Sequence, residues 1–66
     1  MFDGYDLYYS DEETRTLLVK RHADGAIFQA YHNGEQWVGD RVEIEEREDG
    51  EYLRDADPAE RVVLWA

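Results

Sequence analysis

Two turn dipeptides, Asp24-Gly25 and Asn33-Gly34, constrain what this chain can fold into more than any other feature. Each is flanked by β-forming residues. In that setting Asp-Gly and Asn-Gly are strong hairpin signals, because a two-residue type I′ turn needs positive φ at both central positions. The registers follow directly. A turn at Asp24-Gly25 sets Val19 opposite Ala30, Leu17 opposite His32 and Arg21 opposite Phe28. A turn at Asn33-Gly34 sets Ala30 opposite Trp37 and His32 opposite Glu35. Side chains alternate along a strand, so Leu17, Val19, Phe28, Ala30 and Trp37 share one face. Leu18, Ile27, Tyr31 and Val38 fall on the other, among Lys20, Gln29 and Gln36. Both turns agree on one apolar face, which predicts a three-stranded antiparallel meander.

The flanking segments extend the sheet. Tyr5 to Tyr9 is rich in β-formers and reads as a first strand with Tyr5, Leu7 and Tyr9 on one face. Ser10-Asp11-Glu12-Glu13 follows as an acidic loop. Arg41 to Arg47 alternates, with Val42 and Ile44 inward and Arg41, Glu43 and Glu45 outward. Gly39-Asp40 reads as a bend before it. A three-residue loop ending at Gly50, in the left-handed region, pairs Arg47 with Glu51 and leads into a short strand at Tyr52-Leu53-Arg54. Beyond it, Asp57 as N-cap, Pro58 at N1 and Glu60 at N3 predict a helix with Ala59, Val62, Val63 and Ala66 on one stripe. The consecutive β-formers Val62-Val63-Leu64-Trp65 argue instead for a terminal strand. The expected architecture is one domain over residues 1–66, mainly β (α+β). It is a small antiparallel sheet of about five strands built on the central meander, with a short C-terminal helix, or a terminal strand, packed on one face.

Composition limits what such a domain can do. Seventeen Asp and Glu oppose seven Lys and Arg, a net charge of −10 on 66 residues. A charge of this sign repels nucleic acid and anionic lipid and steers the chain toward basic surfaces. There is no cysteine, which excludes disulfides and thiolate metal sites. No signal-peptide pattern is legible at Met1-Phe2-Asp3-Gly4, and the longest apolar run is too short for a membrane span, so a cytoplasmic location is expected. A chain of this length buries only about 60% of its unfolded surface, and a second copy covering Leu18, Ile27, Tyr31 and Val38 is a reasonable expectation.

Catalytic and metal-binding chemistry find little support. His22 and His32 flank the third strand at opposite ends, too far apart to share one metal ion. His32 beside Glu35 would form a pH-sensitive pair at a hairpin tip. Ser10 is the only serine, in an acidic loop unsuited to activating a nucleophile. Aromatic residues abound, but without basic surroundings they lack the electrostatic half of a nucleic-acid platform. The expectation is therefore a non-enzymatic protein-interaction module without cofactor or metal. It would bind no nucleic acid directly and would dock on the basic surface of a partner, as a small inhibitor or regulator mimicking the charge of DNA in the phage-type manner. The alternative is a halophile-type structural or regulatory protein whose acidity is salt adaptation. The residues expected to carry binding are Asp11, Glu12, Glu13, Glu43 and Glu45 as an acidic face, with Tyr9 and Trp65 as aromatic anchors.

Overall fold

The computed structural model describes residues 2–65, and of Trp65 the backbone alone. Its described residues form six strands and no helix: β1 (Tyr5–Asp11), β2 (Thr16–Arg21), β3 (Ile27–His32), β4 (Trp37–Arg47), β5 (Gly50–Asp55) and β6 (Arg61–Trp65). The first five make an antiparallel meander in the order β1-β2-β3-β4-β5, and β6 also pairs with β4.

The meander is the one expected, but its two central turns are longer than two residues. Val19 lies opposite Phe28, and Ala30 opposite Gly39. The reason is local. Only the glycine of each dipeptide has positive φ, 74° at Gly25 and 100° at Gly34, so neither turn is type I′. The Asp24 and Asn33 side chains fold back on the backbone instead. Asp24 accepts the Ala26 amide at 3.1 Å, and Asn33 accepts the amides of Glu35 and Gln36 at 3.0 Å each. Each partner shifts by two positions, which preserves the face of every side chain. Val19, Phe28 and Ala30 accordingly form the buried core with Leu64, and Leu17 and Trp37 pack against it.

The C-terminal helix is not present; residues 61–65 are a strand. Val62, Val63, Leu64 and Trp65 extend along β4, and Ala66, the end of the expected helical stripe, lies outside the described residues. This strand does not pack across a face. It continues the edge that β5 begins, with β5 pairing Val42 to Arg47 and β6 pairing Trp37 to Asp40. Arg41 joins the two: its carbonyl accepts the Ala56 amide at 3.2 Å, and its own amide donates to the Glu60 carbonyl at 2.8 Å. Residues 57–59 loop out between these bonds. Nor do Gly39 and Asp40 bend the chain; β4 runs through them without interruption.

Gly39 has a different duty. A Cβ built there would meet the Phe28 Cβ at 3.0 Å and the Leu64 Cδ1 at 3.3 Å. The missing side chain lets Phe28, fully buried, lie against β4 while Leu64 closes over it. Tyr5 meets the Phe28 ring edge-on at 6.0 Å between centroids, and the Arg21 guanidinium sits 4.9 Å above it. Gly39→Ala is expected to cost about 1–3 kcal/mol, the usual penalty of overpacking a close-packed core. Denaturant unfolding checks this, and an unchanged midpoint would contradict it.

Candidate interaction groove

The last hairpin forms one side of a groove on the sheet. Arg47 pairs with Gly50 around a two-residue turn at Glu48-Asp49, rather than with Glu51 as expected. That one-position difference matters, because an odd shift exchanges faces. It sets Leu53 opposite Ile44, on the face that also carries Leu18 and Val42. The turn is held on its outer side: the Tyr52 hydroxyl donates to Asp49 Oδ2 at 2.7 Å, and the Arg47 guanidinium lies 4.7 Å over the Tyr52 ring. The bond to Asp49 pushes the Tyr52 phenol above its ordinary pKa.

At the opposite edge, β1 carries a bulge at Tyr8, between the Leu7–Val19 and Tyr9–Leu18 pairs. A bulge increases the local twist of a sheet. The curled sheet brings β1 and β5 to one groove of about 580 Å³, with Leu18 and Ile44 as floor and Tyr8, Tyr9, Tyr52 and Leu53 as walls. Asp11 and Glu51 belong to its lining as well. The curl answers part of the need for a cover over the second face. Leu18, Val38 and Val42 are buried within this single chain. The groove walls are not: Tyr8 is 47% exposed, Tyr9 50% and Leu53 42%.

Among the described residues the charges divide into a neutralised set and a free set. Asp24, Asp40, Glu43, Glu45 and Glu60 each contact an arginine, and Asp6 lies 2.9 Å from His22 Nε2. The densest pairing surrounds Arg21, which grips Asp24 through Nε at 3.0 Å and Nη2 at 2.7 Å and reaches Glu60 at 3.1 Å. Among the described residues no cation pairs with Asp11, Glu12 or Glu13 in and before the β1–β2 turn, nor with Glu46, Glu48, Asp49 or Glu51 around the β4–β5 turn, nor with Asp3, Glu35, Asp55 or Asp57 elsewhere. Glu46 and Glu51 stand directly opposite each other across the strands, an unfavourable arrangement for like charges.

The expected site residues separate accordingly. Tyr9 and Asp11 come together in the groove, with Glu12 and Glu13 in the adjoining turn. Glu43 and Glu45 lie on the other face of β4, paired with Arg54 and Arg47. Trp65 pairs with Trp37 through its backbone, and its side chain lies outside the description. The expected His32–Glu35 pair does not form. His32 is opposite Trp37, its ring edge-on at 5.6 Å, and its Nδ1 accepts the Gly34 amide at 3.0 Å. Tyr52, Leu53 and Glu51 are the groove residues that sequence reasoning missed, since their place depends on the register of the last hairpin. No group of three His, Asp or Glu among the described residues is arranged to hold a metal ion. No protein-family model, curated protein or solved structure matches this chain.

Two carboxylates are held in the ionised form. Arg21, with help from the Ala26 amide, keeps the Asp24 carboxyl well below the usual aspartate range. Arg61 lowers that of Asp40. A depressed carboxylate contributes stability that is present above the unfolded pKa, about 3.9, and is lost as pH falls through the folded value. Asp24→Asn is therefore expected to unfold more readily than the native chain at neutral pH, with the gap shrinking below about pH 4. Thermal unfolding of both proteins between pH 7 and 2 checks this; a gap that stays constant with pH would refute it.

Proposed function

We propose that this chain is a non-enzymatic protein-interaction module that docks on a basic surface of its partner, one that otherwise holds nucleic acid. The observation that supports the reading most strongly is where the unneutralised carboxylates lie. Most of them, Asp11, Glu12, Glu13, Glu46, Glu48, Asp49 and Glu51, lie in or beside the two turns that adjoin one exposed aromatic groove, with Asp3, Glu35, Asp55 and Asp57 elsewhere. Asp40, Glu43 and Glu45 on β4 and Asp24 and Glu60 around Arg21 carry arginine partners. Free charge beside exposed Tyr and Leu combines long-range steering with an apolar contact. Acidic loops repel nucleic acid itself, so a basic protein is the favoured occupant.

A second reading has one observation in its favour. Glu46 facing Glu51 is a repulsion that salt would screen, as expected of a chain adapted to a saline host. The two readings differ in a KCl series. The module reading expects cooperative unfolding at low salt, whereas salt adaptation expects a chain that folds only in molar KCl.

Binding to purified nucleic-acid-binding domains tests the proposal further. A complex is expected on gel filtration at about 50 mM salt, dissociating as salt rises past a few tenths molar and displaced by a DNA oligonucleotide. Replacing Asp11, Glu12 and Glu13 by their amides should weaken it about tenfold, while Glu43→Gln with Glu45→Gln should change it far less. Failure of every basic domain to bind at low salt would overturn the proposal.

A further inference from the structure

The groove has a second property besides its charge: it lies between two strands that each lack a neighbour on one side. Among the described residues β1 pairs only with β2, and β5 only with β4. The outer side of β1 therefore presents unpaired backbone groups, the template on which an added strand forms. It is also apolar, with Leu7, Tyr8 and Tyr9 all exposed. We infer that the partner's contact element is an extended cationic segment that adds as a strand to the free edge of β1 and sends alternate apolar side chains into the groove. This rests on the protein-interaction reading above and names the partner's chemistry at that site.

Three observations select this occupant. First, a strand laid beside β1 places every second side chain on the groove side, over the floor made by Leu18 and Ile44 and against Leu53 of β5. Apolar residues at alternate positions fit there. Second, Asp11 of β1 and Glu51 of β5 line the groove, with Glu12 and Glu13 following Asp11 and Glu48 and Asp49 preceding Glu51 in the two turns, so the segment carries cations on both sides of its apolar core. Third, a second copy of this chain is disfavoured at low salt by charge. β1 contains Asp6 and Asp11 and no cation, and each copy brings a net charge of −10. A small neutral ligand is not favoured either. No buried side-chain polar atom among the described residues lacks a partner, so the groove offers no enclosed polar group to orient one.

The test uses the intact chain and three kinds of synthetic peptide, followed by calorimetry at low salt. The first peptide has a core of alternating valine and threonine with two cationic residues at each end, terminally blocked. The second is identical but N-methylated at alternate backbone amides, prepared in both alternations. The third carries the same charges on a helix-forming alanine core. The extended peptide is expected to bind one-to-one, and one of the two N-methylated forms should lose at least about tenfold in affinity because a blocked amide cannot join the edge. Tyr9→Ala and Leu53→Ser, both at exposed positions, should each weaken the extended peptide severalfold, with circular dichroism confirming that the sheet is retained. Equal binding of the helical peptide, or indifference to both N-methylation patterns, would overturn strand addition while leaving an acidic docking module intact. If no cationic peptide binds at low salt, strand addition and the interaction reading both fall.

Discussion

The close approach of Phe28 to β4 at Gly39 governs the rest of this fold. A 66-residue sheet has little apolar surface to bury, and burying a phenylalanine side chain contributes about 1.5–3 kcal/mol. Phe28 is fully buried only because β4 offers no side chain across from Ala30 and because Leu64 closes the space. Leu64 reaches it only if β6 runs along β4. The need to cover one ring thus accounts for the terminal strand, for its place beside the first half of β4, and for the divided edge that Arg41 holds together through its backbone.

The same geometry explains which parts of the fold were legible in the sequence. The core face is legible even though both central registers differ from those the dipeptides predict, because each turn adds an even number of positions and evenness preserves the face. Asp24 and Asn33 are legible as turn residues. The letters do not say whether such a residue takes positive φ itself or bends its side chain back to the backbone. At the last hairpin the error was a single position, and there the consequence was large. It exchanged the faces of Tyr52 and Leu53, which concealed the groove. Gly39 reads as a bend from the letters because an isolated glycine in a strand signals either a bend or a close approach, and only the position of Phe28 decides between them. For the C-terminal segment, Asp57-Pro58 and Glu60 carried a helix signature that tertiary pairing overrode, since a helix over residues 58–66 would leave Phe28 uncovered and β4 half unpaired.

Charge was legible as an amount but not as a distribution. Seventeen carboxylates are evident from composition, yet their meaning depends on where the few cations go. Arg21, Arg47, Arg54 and Arg61 neutralise carboxylates on the strands and around the β2–β3 turn. The β1–β2 and β4–β5 turns keep theirs. Sequence distance hides that these two turns adjoin one groove, because the curl of the sheet brings them there.

The two outer edges of the sheet are treated differently, and acidity gives a reason. The β5–β6 edge is broken by the excursion at residues 57–59 and carries Arg54, Asp57, Pro58 and Arg61, the short strands, charges and proline that discourage pairing with another chain. The β1 edge has only the bulge at Tyr8 and exposes Leu7, Tyr8 and Tyr9. An apolar free edge of this kind is ordinarily an aggregation hazard. Here any approaching copy brings a like charge of −10, a repulsion that acts before short-range contacts form at low salt and is screened at high salt. On this reading the acidity keeps identical chains apart while leaving the same edge open to a chain of opposite charge. Adding positive charge near β1 would then promote self-association and weaken partner binding together, because one electrostatic field controls both.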